Sequence, residues 1–331
     1  SSVFLNASDI ENLQLLSRQF VPPQDSVAFY DQITNGTNRN RNQRLDARFE
    51  WTPDSLNSVV FQPRLYFQDT RKDGNGGGSN SSLTGEPLNI ATSENASETG
   101  GTNLSARLTL RRRFAKRGPS ASAELNAGHT DRDLETGQYA LTESRTGSTV
   151  SSDTLDQRSL GDSFTNSLST RISVTEPVHP RLRVQLNYSP SVWWSESDTR
   201  AHRYNPLTGG YDLPDTAASS THESRNTVQN VGASALYTSG PWRLQAGGAY
   251  QRSDLLSEQT FPTESPIERS FRNVLPTVSL TGNFANRRNL RLNWRTSTTA
   301  PTIHQLQSVV DNTNPLSLST GNPDLSQSYS H

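Results

Sequence analysis

The 331-residue sequence has no cysteine and no methionine. Without cysteine there is no disulfide framework, no thiolate zinc site and no thiol nucleophile. Without methionine there is no initiator residue, so Ser1 is not expected to be a translation start. Hydrophobic residues make up only 31%, less than an ordinary soluble core draws on, and mean hydropathy is −0.73. No run of 18 apolar residues occurs, which excludes a spanning helix, and no signal peptide opens the chain. Charge is sparse and balanced: 31 Lys and Arg face 32 Asp and Glu, a net charge of −1. Such a chain presents no global basic field to a nucleic acid, and none is expected as a partner.

Ser, Thr, Asn, Gln and Gly supply the missing polarity, a bias shared by disordered chains, secreted β-proteins and outer-membrane barrels. Alternation separates these classes. In "RLRVQLNYSPSVWWSES", Arg181 to Ser197, one parity carries Leu182, Val184, Leu186, Tyr188, Val192 and Trp194, with Pro190 among them. The other carries Arg183, Gln185, Asn187, Ser189 and Ser191. A period of two places the sets on opposite faces of a strand.

The same pattern predicts strands at 44–52, 58–69, 102–114, 119–130, 165–175, 180–196, 227–238, 241–252, 273–285 and 288–299. Most are close to the length a tilted strand needs to cross hydrocarbon. Short turns at 52–58, 115–118, 175–180, 238–241 and 285–289 alternate with long loops at 70–101, 131–164, 197–226, 253–272 and beyond 300. That layout is the one a membrane barrel uses, with turns on one side and loops on the other. The fold class expected is therefore all-β, an antiparallel transmembrane β-barrel whose apolar parity meets lipid. Trp51, Phe114, Tyr237 and Trp242 beside the turns, and Phe67, Trp193, Trp194 and Tyr250 toward the loops, fit two interfacial girdles.

The opposite parity is polar and basic. Arg48, Arg64, Arg107, Arg171, Arg183, Arg243, Arg291 and Arg295 lie on it, as do Arg111, Arg113 and Arg181, against the acids Asp46, Glu50 and Glu124. A lumen so lined either meets an anionic solute or an acidic plug, or is solvated by arginines that pair with loop carboxylates. Arg112 falls on the apolar parity beside a turn, from which it can snorkel to headgroups.

No constellation specifies catalysis, a metal or a cofactor. The six histidines form no HExxH pair. His202 and His222 share a long loop with Asp198, Asp212, Asp215 and Glu223, and all are read as solvated loop residues rather than a metal site. "DTRKDGNGGGSN" from Asp69 resembles a calcium loop, but Arg71 occupies a ligand position, so the stretch is read as flexible. "RRRFAKR" (111–117) is assigned to the membrane edge. An enzymatic reading, an outer-membrane lipase or protease, would need a nucleophile beside His202, His222 or His304.

The final segment, from Trp294, resembles outer-membrane β-barrels related to TonB-dependent receptors. The resemblance rests on Pro301, Gln305, Leu306, Asn314, Pro315, Gly321, Asn322, Pro323 and Leu325, with Arg295, Leu316, Tyr329 and His331. "RLDARFEWTPDSLNSVVFQPRLYFQDT" (44–70) looks like an opening hairpin of the same family. The resemblance implies the outer membrane of a Gram-negative bacterium, lipid as the surrounding partner and a complete barrel of about 22 strands. It also implies a plug, a carboxypeptidase-regulatory-like domain, and coupling to the TonB energy-transducing complex for import of a scarce solute. Neither plug nor TonB box is read here. The expectation is an incomplete barrel of about half those strands: an unplaced lead-in at 1–43, up-and-down strands at 44–300, and a long loop at 301–331 entering the next strand. The alternative function is a surface adhesin or structural anchor without transport.

Overall fold

Strand alternation in the sequence becomes one continuous antiparallel ladder in the computed structural model, which describes residues 1–24, 27–114, 118–146, 149–285, 288–306, 310–311, 319–322 and 324–331. The elements are β1 (Ser2–Gln24), β2 (Val27–Asp46), β3 (Phe49–Trp51), β4 (Asn57–Ser81), β5 (Pro87–Arg113), β6 (Ser120–Thr146), β7 (Thr149–His179), β8 (Leu182–Asn205) and β9 (Gly210–Pro214). They continue with β10 (Ser220–Ser239), β11 (Trp242–Phe261), β12 (Ser265–Asn283), β13 (Asn289–Arg295), β14 (Ser297–Thr299), the short α1 (Ile303–Leu306), β15 (Val310–Asp311), β16 (Ser319–Thr320) and β17 (Ser328–Ser330). A 13-stranded sheet runs β1-β2-β4-β5-β6-β7-β8-β10-β11-β12-β13, with β3 on β4 and β9 on β8. β14 pairs with β17, and β15 with β16. Sequential neighbours pair without crossovers, and among the described residues β1 and β13 do not meet. The sheet is an open, incomplete barrel.

In-strand prolines explain where this ladder breaks. A proline has no N–H to give the neighbouring strand. Pro63 faces the gap between β2 and β3, where its carbonyl still accepts from the Ala47 N–H at 3.1 Å. Both sides of that gap keep the same register, Asp46 opposite Arg64 and Phe49 opposite Phe61, so β2 and β3 are one notched strand. Pro276 does the same on β12. Pairing with β13 stops at Thr277 opposite Arg295, and the Thr296 hydroxyl takes the Pro276 carbonyl at 2.9 Å.

The apolar parity forms rows across the sheet. Trp51, Val59, Leu110, Ala123, Ile172, Tyr188, Val231, Tyr250 and Val274 are successive cross-strand partners from β3 to β12. A second row joins Leu182, Tyr237, Leu244, Leu280 and Leu292. These side chains are open to the surroundings: Leu186 is 59% and Val231 57% exposed. Burying apolar area in water's absence is the main force that holds soluble folds, yet here the buried apolar residues, such as Ala28, Val60, Ala140 and Leu255, are scattered over separate strands. Lipid solvates the belt. Near the short turns Trp242 meets Phe284 edge-on at 5.0 Å, and Arg112 stands 5.4 Å from the centroid of Phe114, as a snorkelling cation at the belt's lower rim should. Trp193 is on the lumenal parity, in register with Ser167 and Asn226, so it leaves the upper girdle to Phe67, Trp194 and Tyr250.

The long loops of the sequence reading are largely strand. β4 and β5 run 25 and 27 residues and join through a turn at 82–86, while β7 reaches 31 residues, roughly 100 Å of strand. The Gly-rich stretch after Asp69, expected to be flexible, is paired on both sides, Gly74 opposite Gly36 and Asn95. Glycine weakens an isolated strand, but neighbours zipped on both edges hold it. Residues 1–43, unplaced from sequence, supply β1 and most of β2, and "IENLQLLSRQF" lies within β1. Of the short turns, Asp54 closes 52–58 by accepting from the Leu56 and Asn57 amides at 2.7 and 2.8 Å, which holds its carboxyl below the usual range together with the Asn57 side chain. Gly240, at φ +55°, turns β10 into β11. Residues 115–117 and 286–287 of two other turns lie outside the described residues.

Candidate functional site: the lumenal face

Register fixes which arginines share the polar face. Arg64 sits opposite Asp46 and donates to it at 2.7 Å, and Arg48 pairs with Glu50 at 2.9 Å. Arg107 donates to Asn126 at 2.8 Å, with Glu124 at 3.8 Å. Arg171 is in register with Glu124. Arg243 and Arg291 flank Thr281 on one row, two strand spacings or about 10 Å apart. Arg295 is opposite Thr277, and Arg183 opposite Leu236. Arg171, Arg183, Arg243, Arg291 and Arg295 are exposed, and none joins an ion pair among the described residues. The arginines of the polar parity thus divide into a paired group, Arg48 before β3, Arg64 on β4 and Arg107 on β5, and an unpaired group on β7, β8, β11 and β13.

The opposite face carries ion pairs above its apolar belt: Arg71 pairs with Asp73 and Glu98 at 3.2 and 2.8 Å, Arg158 with Glu135 at 2.5 Å, Arg200 with Asp198 at 2.8 Å and Arg252 with Asp254 at 2.9 Å. Arg41, Arg225 and Arg272, on the same outward parity, join no ion pair among the described residues, so unpaired arginines occur on both faces.

The residues that sequence placed in a solvated loop are divided among different partners, several of them buried. Asp215 is buried and accepts from Arg203 at 2.6 Å, Gln157 at 3.0 Å and the Ala217 amide at 3.2 Å. The Ser219 hydroxyl donates to the Asp215 carbonyl and accepts from the Ala201 amide. His222 is only 2% exposed, and its Nε2 lies 2.9 Å from the hydroxyl of Ser257, 1% exposed. Here a hydroxyl stands beside a histidine named in the enzymatic reading. Its Nδ1 has no partner to orient the ring, and both groups are covered. Burial pulls the His222 pKa below the usual histidine value. Asp212, near Thr208 and Asn205, is held below its ordinary value by hydrogen bonds to them. Among the described residues no three His, Asp or Glu side chains gather as a metal site. Sequence alternation missed the buried group because Leu255 and Leu256 put apolar side chains on both parities of β11.

The terminal motif folds back over the lumenal face. Thr298 donates to Gln251, Asn273 to Gln327 at 2.7 Å, and Arg269 to Asp324 at 3.3 Å. Leu306, in α1, is 1% exposed. Gln305 and Asn322 are brought together, the Asn322 amide donating to the Gln305 carbonyl at 2.6 Å, and Asn322 in turn accepts from Asp324 at 2.9 Å and Leu325 at 3.4 Å. Pro301 and Gly321 border this clasp in irregular segments. Asn314, Pro315, Leu316 and Pro323 lie outside the described residues, as does the His304 side chain.

Comparison with known proteins follows from this geometry. A profile described as outer membrane protein beta-barrel family matches residues 112–331, about two thirds of the chain. No curated protein matches. Among solved structures, the ferric yersiniabactin uptake receptor FyuA from Yersinia pestis is similar at 10% identity, over 89% of this chain and 67% of that one, with a TM-score of 0.27.

Proposed function

The chain belongs to the outer membrane protein β-barrel family, in the outer membrane of a Gram-negative bacterium, and we propose that in its whole protein it carries a solute across that membrane. A plug fills the barrel in this reading, the TonB complex supplies the energy, and the chain performs no catalytic step. The observation that supports it is the set of unpaired lumenal arginines, Arg183, Arg243, Arg291 and Arg295, on a face whose outer side is apolar. In a lumen walled by low-dielectric protein and lipid, guanidinium groups without internal counter-ions favour an anionic solute.

The test is uptake by cells making the full-length protein, using radiolabelled anionic iron chelates and small organic acids, with and without a proton-motive-force uncoupler. Uncoupler-sensitive accumulation that falls at least tenfold in the Arg183→Gln, Arg243→Gln, Arg291→Gln triple variant supports the proposal. Accumulation indifferent to both overturns it. The second reading, a surface adhesin or anchor, is favoured by the long paired hairpins above the belt. It predicts no energised accumulation and loss of cell attachment when those hairpins are shortened.

A further inference from the structure

A broad cavity lies outside the lumen. It is a groove of about 910 Å³ crossing β1, β2, β4, β5, β6, β7 and β9 above the apolar belt. Its side-chain rows belong to the outward parity: Leu13, Asn35, Asn75, Glu94, Tyr139 and Asp156 are successive cross-strand partners. The row beneath includes Thr37, Asp73, Ala96 and Gly137. Between them runs the backbone of Gly36 and Gly74, a low floor that brings peptide groups to the surface.

The chemistry of the lining is narrow. Among the described residues that line the groove there is no Lys or Arg, and Leu13 is the one large aliphatic side chain. Two tyrosines close one end: Tyr139 is half-exposed, and Tyr211 donates its hydroxyl to Asp156 at 2.8 Å while meeting Tyr204 edge-on at 5.6 Å. The hydrogen bond to Asp156 raises the Tyr211 phenol above the usual tyrosine pKa, so it stays a donor. Asp73 is neutralised by Arg71 beneath. What remains facing the groove is carboxamide, carboxylate, hydroxyl and aromatic face.

We propose that this groove binds an uncharged polyhydroxylated chain, the chemistry of a neutral oligosaccharide. Carboxamides donate to and accept from adjacent hydroxyls, carboxylates accept from them, and tyrosine presents an apolar face with a polar tip, which suits the C–H face of a sugar ring. A lining without cations disfavours anionic ligands, and one with so little aliphatic surface disfavours lipid tails. The groove crosses strands at about 4.8 Å each, giving a track on the order of 25 Å for an extended chain. Its outward position makes the proposal independent of lumenal transport.

The glycines supply a clean test. A Cβ at Gly137 would have nothing within 4 Å, and its parity points into the groove, so Gly137→Trp fills the track without displacing the sheet. Full-length protein in detergent micelles is applied to immobilised neutral oligosaccharides, charged oligosaccharides, and polysaccharide purified from the host's own outer membrane. Wild type is expected to bind neutral chains, with at least tenfold loss in Gly137→Trp and in Tyr139→Ala, and no loss in Gln185→Ala on the opposite face. Heat-modifiable gel mobility verifies that each variant is folded. Binding restricted to the host polysaccharide identifies a surface glycan as the source, and binding to soluble oligosaccharides identifies capture from outside; either supports the proposal. Retention of charged chains only, no retention at all, or undiminished binding by folded Gly137→Trp overturns it.

Discussion

Replacing Leu186 by arginine separates a lipid-facing belt from a water-facing one. Leu186 projects from β8 at 59% exposure, so the substitution opens no cavity and crowds no neighbour. On a water-exposed surface such a change alters stability by no more than about 0.5 kcal/mol. On the lipid face near the midplane an arginine costs about 2–4 kcal/mol. The outward residues of β8 from Leu182 to Trp194 climb about 40 Å of strand, or about 30 Å along the membrane normal at a tilt near 40°, and Leu186 lies about a third of the way up, about 5 Å from the centre of that rise. Two to four kcal/mol is roughly a 30- to 800-fold change in the folding equilibrium. The assay is denaturant titration in phospholipid vesicles followed by tryptophan fluorescence. Leu186→Arg should lose the full amount, Leu182→Arg beside the short turn no more than about 1 kcal/mol, and the lumenal Gln185→Arg about 0.5 kcal/mol or less. Equal small losses at Leu186 and Gln185 refute the reasoning.

Two further outcomes concern the buried groups above the belt. Because burial lowers the His222 pKa, the folded chain binds fewer protons than the unfolded one below pH of about 6.5. Protection of the upper β10–β11 amides in hydrogen exchange should therefore be constant above that pH and fall as pH drops through it, with His222→Gln removing the dependence; Glu196, Glu223, Arg225 and Glu258 lie on the other parity of the sheet. Asp215→Ala leaves Gln157 and Arg203 without their shared acceptor and should loosen the β8–β9 hairpin by about 1–3 kcal/mol, read as faster exchange there than at β4–β5.

How much of this was legible in the sequence differed by height along the strands. Within the belt, Leu182 to Trp194 alternates cleanly because lipid and lumen differ sharply in polarity, and eight of the ten predicted strands are present as parts of longer ones, while 44–52 is divided between β2 and β3 and 288–299 between β13 and β14. Above the belt both faces meet water, so "DGNGGGSN" carries no alternation and reads as a loop, although Asp73 and Gly74 are paired on both sides. Register puts the arginines of the polar parity on the face opposite the apolar rows, the face the alternation in the sequence also separates. Which of them are paired was not readable, since Arg64 meets Asp46 only through a register 18 residues apart in the chain. His222 beside Ser257, 35 residues apart, was hidden likewise. The notches at Pro63 and Pro276 carried a visible signal, a proline inside an alternating run, whose consequence needed the neighbouring strand.

The account depends on hydrocarbon, not protein, solvating one face of the sheet. Single spin labels placed at successive positions 182–194 of β8 in the membrane-inserted full-length protein test this directly, by comparing accessibility to oxygen, which partitions into lipid, with that to a polar nickel chelate. Oxygen maxima at 182, 184, 186, 188, 192 and 194, with nickel maxima at the odd-numbered positions, are predicted. Labels of both parities that respond alike to the two reagents contradict it.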